Sequence, residues 1–301
     1  MCLEREKSGF FITSKRVKLY YLIWEGPMEG VPVVCVHGLT SNCRYFCALA
    51  EELTKDRTVY SYDLRGRGDS DKPESSCGYG IRCHAADLHE FLTWLDIPAV
   101  HLVGHSFGAA IIVYYLTHYE APFVEKVVLI EGGMDYPPHF REQIAHSINR
   151  LGLCYHSLEQ YWEAMKKIPH YHPWNEYYEH YLRHDVEVKA RGWVVPKTPQ
   201  VAVYEDIASL TQLSLNDLLP EIRQETLVVR ATRGFRYPKD YILSPEMARE
   251  MVRRLPRGVL LEVPHTHHIS IVLGKAGLSA QFIRRFLADS AAGLRGKRVI
   301  M

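Results

Sequence analysis

The chain has 301 residues, 47% of them hydrophobic and 24% charged, a composition that allows a large buried core. Lysine plus arginine number 36 against 35 aspartate plus glutamate, a formal net charge of +1, so no chain-wide field gathers nucleic acid or an anionic membrane, and neither is expected as a partner. Met1-Cys2-Leu3-Glu4-Arg5-Glu6-Lys7 carries charge where a secretory signal needs an apolar stretch, and no later run reaches the length of a membrane span, so the expected location is cytoplasmic.

Val17 to Trp24 reads as an early strand, the start of an antiparallel entry into a mostly parallel sheet. Val31 to Val36 is a dense β-branched strand ending at His37-Gly38, and Cys43 to Leu53 has helical apolar spacing. Thr58 to Tyr62 predicts the next strand, followed by Asp63-Leu64-Arg65-Gly66-Arg67-Gly68-Asp69-Ser70 and an amphipathic helix over Ile81 to Leu95. The apolar run from Val100 leads into a helix-forming stretch, Ala109 to Leu116, and Val124 to Ile130 is a further strand. From about Tyr136 to Leu219 the pattern is helical, crowded with aromatics and histidines, without a strong strand signal. Strands resume at Thr226 to Arg230 and Val259 to Val263, a helix spans Ala276 to Ala288, and Leu294 to Met301 reads as a frayed tail. The predicted organisation is a core over 1–135 and 220–301 with a helical cap inserted at 136–219.

Seven cysteines, Cys2, Cys35, Cys43, Cys47, Cys77, Cys83 and Cys154, make no secreted disulfide framework and are expected as reduced thiols. Cys43 and Cys47 share a predicted helix face, but two ligands do not make a zinc site, and no metal or other cofactor is expected. The His-x-His pair in Pro169-His170-Tyr171-His172-Pro173 falls to the same argument and reads as solvated or pocket-lining.

Chemistry concentrates at Gly104-His105-Ser106-Phe107-Gly108, between a strand and a helix. A serine on so tight a strand-to-helix turn has strained backbone angles, and a side chain two positions away on either side would collide with it. Glycines at 104 and 108 remove the collision, and the helix N-terminus favours negative charge developing on a substrate. The earlier turn His37-Gly38-Leu39-Thr40 can aim a backbone N–H at the space above Ser106, so the N–H groups of Leu39 and Phe107 are the candidate oxyanion donors. Loss of one such donor typically costs about 3–4 kcal/mol of transition-state stabilisation. A base is expected after the last strand, where Pro264-His265-Thr266-His267-His268-Ile269-Ser270 offers three histidines.

The joint order of His37-Gly38, Asp63 to Ser70, the Ser106 pentapeptide and a late histidine resembles the α/β-hydrolase superfamily from about Val17 to Leu287. The resemblance implies an eight-stranded, mostly parallel sheet with flanking helices and a helical cap. It implies that His268, at the end of a Pro-x-x-x-His pattern, is the base, with His265 and His267 as loop or rim residues, and that Asp63 to Ser70 is a structural turn. For the acid, family members place a carboxylate a few residues past the strand at Thr226 to Arg230, where this chain has Gly234 and only later Asp240. Glu131, at the strand end that haloalkane dehalogenases use, is the alternative. The two stay open, with a lean to Glu131 because a strand end is positioned better than a long loop, and Asp135 comes third.

A serine nucleophile, where haloalkane dehalogenases have aspartate, points to acyl chemistry on a small-molecule ester, thioester or lactone through an acyl-enzyme. Carbon–carbon hydrolysis of a dienoic diketone, and ligand binding without turnover, are the competing readings. With a reference histidine pKa, activity is expected to fall below about pH 6. Of the cap aromatics Tyr155, Tyr161, Trp162, Tyr171, Trp174, Tyr177, Tyr178 and Tyr181, a third are expected to face substrate, the rest being cap core.

Overall fold

The computed structural model describes residues 6–74, 78–137, 139–274, 277–288 and 298–300. Cys2, Cys77 and most of the tail lie outside them. No disulfide joins the five other cysteines among the described residues.

Strands β1 (Glu6–Ile12) and β2 (Lys18–Trp24) form the antiparallel entry, and β1 extends it beyond the strand predicted at Val17 to Trp24. Next come β3 (Val33–Val36), a 3₁₀ turn at Cys43–Phe46 running into α1 (Cys47–Leu53), β4 (Val59–Tyr62) and α2 (Ile81–Leu95). The elbow joins β5 (Val100–His105) to α3 (Phe107–His118), and β6 (Val124–Ile130) follows. Every residue of β3 and β5 is buried, which explains why they read as near-continuous apolar runs: helices cover both faces of a parallel sheet.

Between β6 and the next sheet strand lie α4 (Phe140–Arg150), α5 (Leu158–Lys166), α6 (Glu176–His184), the hairpin strands β7 (Val186–Val188) and β8 (Val194–Pro196), α7 (Gln200–Leu210) and the single turn α8 (Leu215–Leu218). The antiparallel β7–β8 pair departs from the wholly helical expectation. Its strands are three residues each, too short for a period-two pattern to register. The core resumes with β9 (Glu225–Ala231), α9 (Pro245–Arg254), β10 (Gly258–Val263), the turn α10 (Ser270–Leu273), α11 (Gly277–Ala288) and β11 (Arg298–Ile300). Helix α9 escaped the periodicity reading, although Ser244 caps it through Met247 N–H and Pro245 opens it, a local start signal.

The sheet order is β1-β2-β4-β3-β5-β6-β9-β10-β11, antiparallel at β1–β2 and β2–β4 and parallel elsewhere. The eight expected strands are joined by a ninth, where three tail residues pair beside β10 instead of fraying. Helices α2, α3 and α9 contribute to one buried cluster and α1 and α11 to the other, one on each face of the sheet. Helices α4 and α7 join the first cluster through Ile144, Ile148, Val203 and Ile207, while α5 and α6 join the second through Tyr161, Met165, Tyr178 and Leu182. The inserted segment is thus anchored on both sides by apolar burial worth about 1.5–3 kcal/mol per fully buried large side chain. No helix of the described residues is long and apolar enough to cross a membrane.

Register decides what meets at the sheet's edge. His105 pairs with Ile130, Ile130 with Val229, and Ala231 with Val263, so the residues that follow β5, β6, β9 and β10 emerge side by side at their carboxyl ends.

Candidate active site

Ser106 has φ 54° and ψ −117°, a strained backbone held by its surroundings. A Cβ on Gly104 would lie 2.7 Å from the backbone of Ala109, and one on Gly108 would lie 1.9 Å from the Val36 carbonyl oxygen. A third glycine, unremarked in the sequence, is equally confined: a Cβ on Gly132 would lie 2.5 Å from the Ser106 carbonyl oxygen. The end of β6 is therefore packed backbone to backbone against the elbow. Ser106 N–H donates to Ile130 O at 2.9 Å, tying the two together.

Glu131 follows directly, also in the left-handed region at φ 54°. Its Oε1 accepts the Ala231 N–H at 2.7 Å and its Oε2 lies 3.2 Å from His268 Nδ1. Both side chains are buried. Burial raises the Glu131 carboxyl to about 8, opposed by the Ala231 N–H and the Arg230 charge, and burial lowers His268 to about 3. Asp240 does not reach this histidine. Its loop turns back on itself, with Phe235 N–H on Asp240 O at 2.7 Å, and the carboxylate accepts from Gln143 Nε2 at 2.8 Å and from Arg236 N–H at 3.3 Å. Asp135 is further removed in function, accepting the Leu215 and Asn216 N–H groups.

The His268 backbone is held by a residue that sequence reading passed over. His105, inside the elbow, donates from Nε2 to the His268 carbonyl at 2.9 Å, and the two rings sit 4.6 Å apart. Nδ1 of His268 is engaged by Glu131, leaving Nε2 as the nitrogen available to a neighbour.

The turn after β3 is fixed with similar economy. His37 Nε2 accepts the Leu64 N–H at 3.0 Å, so its proton is on Nδ1 and donates to Gly38 O at 2.9 Å. Ser41 N–H reaches the same oxygen at 3.2 Å. A peptide unit is planar and trans, so anchoring the Gly38 oxygen on one side aims the Leu39 N–H to the other. Phe107 opens α3, where the first N–H groups have no intrahelical partner. Arg67, fully buried, donates to Leu39 O at 2.9 Å and to Asp206 Oδ2 at 2.5 Å, and Asp206 also accepts from His84 at 2.9 Å and Gly80 N–H at 2.6 Å. Asp63 accepts from the Cys43 and Asp69 N–H groups at 2.7 and 2.8 Å and from His184 Nε2 at 2.8 Å. Asp63 to Ser70 is thus a structural turn that ties the Leu39 turn to α6 and α7. Cys43, Asp63 and His184 bring ligand atoms within 4.8 Å of one another, but the hydrogen bonds to Asp63 account for this approach.

Ser106, His268 and Leu39 line one cavity of about 60 Å³, with Gly38, His105 and Tyr45 from the core and Arg150, Tyr171 and Tyr181 from the inserted segment among its other walls. Arg150 is buried and ion-paired with Asp185. Of the eight aromatics singled out in the inserted segment, Tyr155, Tyr161, Tyr171, Tyr178 and Tyr181 are packed in one buried cluster, and Tyr171 and Tyr181 also line this cavity. The His-x-His pair diverges: His170 is buried, while the exposed His172 is bonded to Lys166 O at 2.6 Å.

A family model for the alpha/beta hydrolase fold matches residues 31–275, well over half of the chain. A putative non-heme chloroperoxidase from Synechocystis sp. is 36% identical over 118 residues, 39% of this chain and 41% of that protein. The N-formylmaleamate deformylase of Pseudomonas putida is 30% identical over 131 residues, 43% of this chain and 47% of that protein. The chain thus spans less than half the length of these curated relatives. The crystal structure of an E-2-(acetamidomethylene)succinate hydrolase superposes with a TM-score of 0.79 at 21% identity, covering 94% of this chain and all of that one, which speaks to fold alone. Sequence order, sheet topology and family match agree, and the chain belongs to the α/β-hydrolase family.

Proposed function

We propose that the protein is a cofactor-independent serine hydrolase that cleaves a carboxylic ester, thioester or lactone through an acyl-enzyme on Ser106. The observation that carries the reading is the 3.2 Å approach of Glu131 to His268 Nδ1 at the rim of the cavity that Ser106 lines. In this reading the ionised Glu131 holds the His268 proton on Nδ1, so Nε2 takes the Ser106 proton as Oγ adds to the substrate carbonyl. The Leu39 and Phe107 N–H groups receive the oxyanion. Collapse of the tetrahedral intermediate expels the alcohol, thiol or lactone oxygen with the proton from His268, and water then repeats the sequence to release the acid. The segment 136–219 serves as the cap, closing over the core formed by 1–135 and 220–301.

The experiment is active-site labelling. A fluorophosphonate is expected to add to Ser106, read as a mass shift on the elbow peptide, and Ser106→Ala is expected to abolish both labelling and turnover of p-nitrophenyl esters. Full turnover by Ser106→Ala without any wild-type adduct refutes the assignment. Turnover of a vinylogous diketone in preference to every ester in the panel would move the reaction to carbon–carbon hydrolysis.

A further inference from the structure

A second, larger recess of about 610 Å³ adjoins the Ser106 cavity, and Phe235 lines both. The Phe235 ring is buried, standing 5.5 Å from the His268 ring on one side and 5.1 Å from the His170 ring on the other. His267 faces the recess and His268 the cavity, so consecutive residues of one loop serve adjoining spaces.

The charge lining this recess has one sign. Arg233, Arg236 and Lys239 border it, and no aspartate or glutamate does so among the described residues. Arg236 is already answered by Asp240, whose carboxylate lies 3.5 Å from its Nε. Arg150 in the catalytic cavity is likewise answered by Asp185. Arg233 and Lys239 have no ion-pair partner among the described residues, although their loop is well tied: Arg233 N–H donates to Thr266 O at 2.8 Å and Asp240 N–H to Tyr237 O at 3.1 Å. The buried His267 imidazole adds a donor. His267 Nδ1 accepts the Ile269 and Ser270 N–H groups at 3.3 and 3.4 Å, which leaves the proton of the neutral ring on Nε2. Two solvent-exposed cations without an ion-pair partner and the Nε2–H of the buried His267, all lining one recess beside an acyl site, are complementary to an anion.

We propose that this recess is an anion subsite of the acyl pocket: the substrate carries a carboxylate or phosphate group several bonds from its scissile carbonyl, seated by Arg233 and Lys239 while the carbonyl reaches Ser106 past Phe235. The inference rests on Ser106 as the acyl-transfer nucleophile and narrows the proposed esters, thioesters and lactones to anionic ones.

The test compares p-nitrophenyl valerate, p-nitrophenyl hemiglutarate and p-nitrophenyl phosphonobutyrate, which share chain length and differ in terminal charge. Wild-type kcat/KM for at least one anionic ester is expected to exceed that for valerate at least about tenfold, as for a hydrogen-bonded charge pair. The larger of the two anionic ratios tells carboxylate from phosphate. In Arg233→Gln/Lys239→Gln the ratio is expected to fall toward one, and in Arg233→Lys to persist. A wild-type ratio near one, or a ratio unchanged in the double variant, overturns the subsite. Calorimetry of Ser106→Ala protein with glutarate and with inorganic phosphate reads binding without turnover; heat that disappears when Arg233→Gln and Lys239→Gln are added to Ser106→Ala supports the subsite, and heat that persists there, or no heat from either ligand, overturns it. Turnover of valerate without anionic preference sinks the subsite and leaves the Ser106 chemistry standing. Glutarate or phosphate bound with no turnover and no fluorophosphonate adduct sinks the chemistry instead.

Discussion

Replacing Glu131 by glutamine changes one heavy atom and, on the proposed mechanism, should silence His268 as a base. The carboxylate faces two donors: the Ala231 N–H at 2.7 Å and the His268 Nδ1 at 3.2 Å. An amide has one oxygen and one NH₂, and the backbone N–H of Ala231 cannot reverse its polarity. The amide oxygen therefore turns to Ala231, and the NH₂ donates to Nδ1, which drives the histidine proton to Nε2. A histidine protonated at Nε2 cannot accept the Ser106 proton. The equivalent wrong-tautomer substitution in a serine triad lowers kcat about 10⁴-fold, or about 5 kcal/mol. Stability should move little, because the amide has no charge to desolvate where burial already raises the carboxyl to about 8. The assay is kcat on a p-nitrophenyl ester beside thermal melting by circular dichroism, with a shift of no more than about 4 °C expected. Asp240→Asn is the control, expected near wild type because Asp240 serves Gln143 and Arg236. More than about a tenth of wild-type kcat in Glu131→Gln, or an equal loss in Asp240→Asn, would refute the reasoning.

The remaining predictions follow from burial and backbone contact. On the proposed mechanism a protonated Glu131 also donates to Nδ1 and blocks His268 as base, so with its carboxyl raised to about 8 the rate should climb with pH through a limb above pH 6, in place of the fall below pH 6 that a reference histidine gives. A kcat/KM profile flat from pH 4 to 8 would contradict this. Gly132→Ala sets a Cβ 2.5 Å from the Ser106 carbonyl oxygen, and an overpacking cost of about 1–3 kcal/mol with a loss of turnover is expected in urea titration and rate assays. Wild-type values for both would mean that the turn can shift without disturbing the elbow. Arg67→Met leaves the buried Asp206 without its guanidinium partner and should cost about 3–5 kcal/mol in urea unfolding. A loss under about 1 kcal/mol would show that His84 and Gly80 alone satisfy that carboxylate.

Much of this protein is written locally in its residues. Apolar patterning marks β2, β3, β5, β6, β9, β10, α2 and α3, as continuous runs where both faces are covered, as in β3 and β5, and as periodicity where one face is, as in α2. Gly104 and Gly108 announce the elbow, although the space each leaves is taken by the Ala109 backbone and by the Val36 carbonyl rather than by Ser106 itself. Tertiary structure alone chose Glu131 over Asp240 as the neighbour of His268. That choice depends on the turn at Gly234, where a Cβ would lie 1.9 Å from Tyr237 O and the chain doubles back, carrying Asp240 to Gln143. Tertiary structure also packed Gly132 on the elbow, paired Arg67 with Asp206 across 139 positions, added β11 to the sheet and set Phe235 between two cavities. Each of these is a contact between segments distant in the chain, and no local pattern encodes which distant partner a buried charge, a bare backbone or an aromatic ring will meet.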